Sequence, residues 1–112
     1  MKPQQKPTMR ELSKRVESLT HRYRLAQIRE KMRIAALPED QQANPPFSQN
    51  QMYIESFDLA LNCLTPQQRM IIYNDFLTKQ FAFWWEMIFA RSTYYRKKLE
   101  AVQHFCSYFY NL

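Results

Sequence analysis

The residues best equipped for chemistry are the eight from Arg91 to Lys98, in the order Arg-Ser-Thr-Tyr-Tyr-Arg-Lys-Lys. Arginine and lysine neutralise phosphates and reach guanine edges, and hydroxyl side chains donate hydrogen bonds to the DNA backbone. The pattern predicts the start of a DNA-contacting helix, although a solvated basic surface on an ordinary helical protein has the same composition. The candidate DNA-binding residues are Arg91, Ser92, Thr93, Tyr94, Arg96, Lys97 and Lys98.

Enzyme chemistry has little support in the sequence. A nucleophile requires a base and an orienting group, and the cysteines and histidines lie on apolar or basic helix faces. His104 and Cys106 are two residues apart, so a helix directs them to different sides, which disfavours zinc. We therefore predict no catalytic site, metal or cofactor, and expect Cys63 and Cys106 to be buried thiols. Three acids are expected at the solvated surface, namely Glu55, Asp58 and Asp75.

Charge is unevenly distributed along the 112 residues, whose formal net charge is +6. Residues 1–37 carry ten Lys/Arg against three Glu, residues 38–90 carry two against six acids, and residues 91–112 carry four against one. Two basic ends around an acidic middle favour a polyanionic partner, and nucleic acid before a membrane.

The elements that position these residues are predicted to be helices, because the chain contains no glycine for phosphate loops or hairpin turns. Residues 1–7 are expected to be disordered. A capping box at Thr8 starts a helix over about 9–36. One apolar stripe of this helix comprises Leu12, Val16, Leu19 and Tyr23, and a second, offset stripe comprises Leu25, Ile28, Met32 and Ala35. Three roles fit this basic helix: contact with phosphates, oligomerisation through the first stripe, or docking on a larger partner.

A proline-bounded linker at 38–46 separates this N-terminal segment, 1–37, from a C-terminal unit at 47–112. Capping boxes at Ser48 and Thr65 predict helices over about 48–64 and 65–78. An aromatic-rich segment at 80–89 is predicted to be a fourth, mostly buried helix. The last helix begins near Arg91 or Ser92 and runs to about 109. A short buried helix, a tight turn and a longer basic helix is the order of a helix-turn-helix.

Residues 64–105, from Leu-Thr-Pro-Gln-Gln-Arg-Met-Ile-Ile through Arg-Ser-Thr-Tyr-Tyr-Arg, resemble the C-terminal DNA-binding region 4 of sigma-70-type factors. They resemble still more the small phage and Gram-positive regulators of the ArpU kind. The resemblance implies that the predicted site residues from Arg91 to Lys97 face DNA, while Tyr95 and Leu99 anchor the recognition helix. The capping Ser of the family aligns with Ala90, so the cap is expected to shift to Ser92.

The sequence therefore predicts an all-α protein of about five helices, with a helix-turn-helix preceded by a long basic helix. The leading hypothesis is a cytoplasmic transcription regulator or sigma-like factor that binds double-stranded DNA. RNA polymerase is a candidate partner by resemblance, and a second copy of the chain is a candidate through the N-terminal helix. No membrane is expected as a partner, because the longest apolar run, residues 81–90, is too short to span a bilayer. The alternative is a non-enzymatic helical module that binds a larger protein assembly through the N-terminal helix and residues 81–89.

Overall fold

The computed structural model describes residues 6–78 and 80–111. Five α-helices follow in chain order: α1 at Met9–Ala35, α2 at Glu39–Gln42, α3 at Gln49–Asn62, α4 at Pro66–Ile72 and α5 at Arg91–Tyr110. Strands are absent from the described residues, so the all-α prediction is confirmed. No helix there is both long and apolar enough to cross a membrane. Of the start predicted to be disordered, residues 1–5 lie outside the described part.

Three helices begin at the capping residues that the sequence predicts. The hydroxyls of Thr8 and Ser48 each accept a hydrogen bond from the backbone amide three residues later, at 3.2 and 3.1 Å. Thr65 forms a complete capping box with Gln68, whose side-chain oxygen accepts from the Thr65 amide. Pro66 occupies the first turn of that helix. Side-chain caps satisfy backbone donors that a helix start leaves without a partner, which is why these boundaries are visible in the sequence.

Helix α1 is part of the core and packs against α3 and α5. Its first apolar stripe contributes Leu12, Val16 and Leu19 to the buried cluster. Tyr23 stacks on Phe57 of α3 with ring centroids 4.0 Å apart. One of the three roles predicted for this helix was oligomerisation through the first stripe. The protein's own core covers that stripe, so it is not available to join two copies of the chain.

The end of α4 widens into a π-helical turn at Tyr73–Leu77. The amide of Thr78 donates to the carbonyl of Tyr73 at 2.8 Å, which closes this turn. From α1, the guanidinium of Arg24 donates to the carbonyls of Phe76 and Leu77. A cation at a helix C-terminus donates to carbonyls that lack an intrahelical partner and interacts favourably with the negative end of the helix dipole. Arg24 is therefore a structural residue that joins α1 to this turn.

The predicted fourth helix at 80–89 is wrong, because residues 82–88 form consecutive turns. The amides of Trp84 and Ile88 donate to the carbonyls three residues earlier, at 3.1 and 2.9 Å. Both Trp84 and the adjacent Trp85 are buried. An α-helix would direct neighbouring side chains about 100° apart, so turns are the better way to bury both indoles. The helix that precedes α5 is thus α4 with its π-helical end, and the predicted tight turn is a longer connection.

Candidate nucleic-acid interface

Helix α5 begins at Arg91, with Ala90 in extended conformation as its N-cap. The amide of Tyr94 donates to the carbonyl of Ala90 at 2.9 Å, which closes the first turn. Ala90 has no side-chain acceptor, so the amides of the first turn receive no side-chain cap. Ser92 lies within this first turn, and the expected shift of the cap to Ser92 is wrong.

Part of the predicted site faces solvent. Arg91, Ser92 and Arg96 are exposed, and Thr93 is half-buried. Ser92 and Arg96 are four residues apart and share one face of α5. The guanidinium of Arg91 lies 5.8 Å from the ring centroid of Tyr95, which is 40% exposed. The first two turns of α5 therefore present two guanidinium groups and a serine hydroxyl to solvent.

Lys97 lies at the edge of this exposed face. Its ammonium donates to the side-chain oxygen of Gln67 at 2.8 Å and lies 6.0 Å from the ring centroid of Phe89. The contact with Gln67 is exposed. Because glutamine is neutral, this contact leaves the charge of Lys97 uncompensated. Lys97 can thus contribute to the positive potential beside Arg96.

The structure corrects the predicted role of Tyr94, because this residue is only 3% exposed and points into the core. Its ring stacks on Trp85, with centroids 4.4 Å apart and planes 7° from parallel, and its hydroxyl donates to Asp75. Burial, followed by the hydrogen bond to Asp75, raises the pKa of Tyr94. The anchoring role predicted for Tyr95 belongs to Tyr94, whereas Leu99 packs against the core as predicted.

The structure also corrects the prediction that Lys98 is a DNA-binding residue. Its ammonium lies 3.2 Å from Asp75 Oδ2, and its side chain is 20% exposed. The same ammonium lies 5.5 Å from the ring centroid of Phe76 and 5.8 Å from that of Tyr94. A cation held between a carboxylate and two aromatic faces stabilises the protein's own packing. Lys98 is therefore directed at the body of the protein and not at a ligand.

Asp75 organises this region, although the sequence suggested a solvated acid. Its Oδ1 accepts from the indole nitrogen of Trp84 at 2.7 Å, while Oδ2 accepts from Tyr94 and pairs with Lys98. We call these four residues the Asp75 network. It joins the π-helical turn, the aromatic segment and α5. No local pattern marks these contacts, because the partners are separated by nine to 23 positions.

Asp58 also differs from the prediction of a solvated acid. Its Oδ1 accepts from the hydroxyl of Tyr23 at 2.6 Å, which joins α3 to α1. Burial, and then this hydrogen bond, raise the pKa of Tyr23. The spacing of Asp58 and Tyr23 in the sequence gives no signal for the pair.

The cations of α1 divide into structural and exposed groups. Arg24 binds the π-helical turn, and Arg33 pairs with Glu30 and donates to the carbonyl of Pro46 at 2.8 Å. Arg22 is exposed but lies over the ring of Tyr53, 4.8 Å from its centroid. The exposed cations of α1 are Arg10, Lys14, Arg15, Arg22, Arg29 and Lys31. They leave most of the basic surface of the helix in contact with solvent.

The cysteines differ from each other. Cys106 is buried, and burial raises the pKa of its thiol, whereas Cys63 is exposed, contrary to the prediction of two buried thiols. Cys63 is the C-cap residue of α3, and it is exposed although Leu61 and Leu64 beside it in the sequence are buried. In residues 6–78 and 80–111, no three His, Cys, Asp or Glu side chains are grouped as metal ligands.

The aromatic segment at 81–89 has two sides. Trp84, Trp85 and Phe89 are buried against the core, as described for the turns. Four large apolar side chains of the same segment are exposed, and they are Phe81, Phe83, Met87 and Ile88. The prediction of a mostly buried segment thus holds for only part of it.

The chain matches no protein-family model, no curated protein and no solved structure.

Proposed function

We propose that the protein binds double-stranded DNA as a transcription regulator, with the first two turns of α5 in the major groove. The observation that carries this proposal is the exposure of Arg91, Ser92 and Arg96 on a helix start whose opposite side is fixed to the core. Arginine contacts guanine through two parallel hydrogen bonds, and serine donates to either bases or phosphates. The resemblance of residues 64–105 to sigma-type regulators supports the same class.

A rigid attachment of the reading helix supports this role. Tyr94 is held by Asp75 and by the stacked ring of Trp85, so the backbone of the first turn has little freedom to tilt. Site residues on fixed elements lose less conformational entropy on binding. Arg91 and Arg96 would supply base contacts, and Thr93 and Lys97 would contact phosphates at the edges of the groove.

The exposed cations of α1 would add affinity that does not depend on sequence. Each phosphate contact lowers the slope of log K against log salt by about 0.9 for B-DNA. Contacts from α5 and α1 are therefore distinguishable by the slope that each group of cations contributes. RNA polymerase remains a proposed additional partner on the resemblance alone.

Selection from a pool of random duplexes, at two salt concentrations, tests this function. The wild-type protein should enrich a short motif. The double variant Arg91→Ala/Arg96→Ala should lose that motif, because its base contacts are removed, while its salt slope should stay close to that of the wild type. The matched control is Arg29→Ala/Lys31→Ala, which removes the same charge from two exposed positions on α1.

Retention of the motif in the control, together with its loss in the α5 variant, would support sequence recognition by α5. Equal losses in both variants would mean that only total charge matters, and retention of the motif by the α5 variant would remove Arg91 and Arg96 from the interface.

A second candidate function is a helical interaction module that does not contact DNA. The exposure of Phe81, Phe83, Met87 and Ile88 favours it, because Met87 alone is 96% exposed and apolar patches mark protein-binding surfaces. Binding of purified RNA polymerase core by the wild-type protein, lost in Phe81→Ser/Met87→Ser and kept in Arg91→Ala/Arg96→Ala, would support this function. No binding by the wild-type protein would contradict it for this partner.

A further inference from the structure

The second apolar stripe of α1 stays outside the buried core formed by residues 6–78 and 80–111. It comprises Leu25, Ile28, Met32 and Ala35, and it lies on the side of α1 opposite the core. Ile28 is 55% exposed and Met32 is 68% exposed, while Leu25 is half-buried. Residues on the other side, Ala26 and Glu30, are buried. The C-terminal half of α1 thus carries an apolar face that the fold leaves bare.

The spacing of this stripe is that of a coiled-coil seam. Steps of three, four and three residues give the a and d positions of consecutive heptads, with Leu25 and Met32 at a and Ile28 and Ala35 at d. A strict a and d stripe is narrower than the face by which a helix packs on a globular core. It covers about 15 Å along the helix axis, or three turns. A single partner helix fits this shape.

Basic residues occupy the positions that flank the seam. Arg22 and Arg29 stand at e, and Arg24 and Lys31 stand at g. Arg22, Arg29 and Lys31 are exposed, while Arg24 is half-buried and donates to the carbonyls of Phe76 and Leu77. In a coiled coil these positions contact the e and g positions of the partner and select it by charge.

A second copy of this chain is a poor partner for the seam. Parallel pairing would place g of one helix beside e of the other, and antiparallel pairing would place g beside g and e beside e. Each arrangement brings together two basic residues of the set formed by Arg22, Arg24, Arg29 and Lys31, which repel each other. Positive flanks are complemented by glutamate or aspartate.

We propose that the seam of Leu25, Ile28, Met32 and Ala35 binds an amphipathic helix of another protein, with apolar residues at a and d and acidic residues at e and g. DNA binding by α5 is not required for this interaction. An anionic membrane is also complementary in charge, but a helix that lies in a bilayer surface presents a wide apolar face with large aromatic or leucine side chains. The seam is narrow and contains no aromatic residue.

Three synthetic peptides of three heptads test the proposal with the full-length protein. The first has Ile at a, Leu at d and Glu at e and g, so its own charges keep it monomeric at neutral pH. The second replaces Glu at e and g by Lys, and the third keeps Glu but has Gln at a and d. Fluorescence anisotropy should detect binding of the first peptide only. Binding of the second peptide at equal strength would show that charge does not select the partner, and equal binding of the third would show that apolar contacts are not needed. Either result would overturn the proposal.

The variant Ile28→Gln/Met32→Gln removes apolar side chains from the seam without changing charge or lowering helix propensity. It should weaken binding of the first peptide by about tenfold or more, because the burial of two apolar side chains is lost. Met52→Gln/Leu59→Gln, at two exposed apolar positions of α3, is the matched control and should bind as the wild type does. Circular dichroism would verify that both variants keep the wild-type helix content.

Three results would assign the seam to another occupant and overturn the proposal. The first is peptide binding that Ile28→Gln/Met32→Gln leaves unchanged. The second is self-association of the wild-type protein in sedimentation that this variant abolishes. The third is binding of the wild-type protein to phosphatidylglycerol vesicles that this variant loses, although the variant still binds the first peptide.

Discussion

The carboxylate of Asp75 accepts a hydrogen bond from the indole nitrogen of Trp84 at 2.7 Å, although the two residues belong to different elements. The other oxygen of the same carboxylate binds Tyr94 and Lys98. One side chain on the π-helical turn therefore fixes both the aromatic segment and the start of α5. The exposed positions of Arg91 and Arg96 depend on this attachment, because Tyr94 lies between them in the sequence and points into the core.

Replacing Asp75 with Asn should destabilise the protein by about 2 kcal/mol, since an NH2 group that cannot accept replaces one of the two accepting oxygens and the charge of Lys98 loses its partner. Urea unfolding followed by tryptophan fluorescence measures this change. DNA affinity should fall as well, because the start of α5 becomes less ordered. The salt slope of binding should stay near the wild-type value, since no phosphate-contacting cation is removed.

Asp58→Asn is the matched control for this effect on DNA binding. Asp58 also accepts from a tyrosine hydroxyl, that of Tyr23, but it joins α3 to α1. It should lower stability without selectively weakening DNA binding at temperatures where the variant is folded. Equal loss of DNA affinity in the two folded variants would contradict a specific role of the Asp75 network.

Two conservative variants distinguish the contributions of Tyr94 and Tyr95 to stability. Tyr94→Phe removes a buried hydrogen bond to Asp75 and should cost about 1 kcal/mol of unfolding free energy. Tyr95→Phe alters a residue that is 40% exposed and should change stability by no more than about 0.5 kcal/mol. Chemical denaturation of both variants measures the difference. A larger cost for Tyr95→Phe would restore the anchoring role that the resemblance implied for Tyr95.

Local chemistry explains why the helix starts were predictable. The caps at Thr8, Ser48 and Thr65 each depend on residues within three positions, so the sequence displays both partners. The first stripe of α1 was visible for the same reason, because periodicity alone identifies a buried face. Its partner was not visible, and α1 proved to pack on α3 and α5 rather than to be available for a second copy.

Long-range contacts explain what could not be predicted at the candidate site. The aromatic-rich sequence predicts a helix at 80–89 and the resemblance implies an inward Tyr95, but residues 82–88 form turns that bury both Trp84 and Trp85. Their packing against Tyr94 then determines which tyrosine faces the core. Asp75 meets these residues only in the folded chain, and hydrophobic periodicity carries no information on a polar contact between distant elements.

The attachment of α1 to the π-helical turn depends on Arg24. Arg24→Ala removes the donor to the carbonyls of Phe76 and Leu77 and should cost about 1–2 kcal/mol. Arg29→Ala removes the same charge from an exposed position of α1 and should be nearly neutral. Thermal unfolding of both variants provides the comparison. If the two variants melt at the same temperature, the carbonyl contacts of Arg24 contribute little to stability.

The junction between α1 and α3 should give the protein a defined acid sensitivity. Glu30 is buried, and its carboxylate pairs with Arg33 and accepts a hydrogen bond from the hydroxyl of Ser48 at 2.7 Å. The hydrogen bonds from Arg33 and then Ser48 lower the pKa of Glu30 below its ordinary value of 4.5. The hydroxyl of Ser48 also caps α3, so the carboxylate orients the cap.

Because the pKa of Glu30 is lower in the folded state, its stabilising effect is complete above pH 4.5 and is lost as the pH falls through the folded value. Glu30→Gln cannot ionise, so it should be less stable than the wild type by about 1–2 kcal/mol at pH 7. That difference should shrink steadily below pH 4.5, as the unfolded wild-type chain takes up the proton first. Urea unfolding at a series of pH values measures it, with the exposed Glu39→Gln as control. A difference that stays constant from pH 7 to about pH 3 would show that ionised Glu30 does not stabilise the junction.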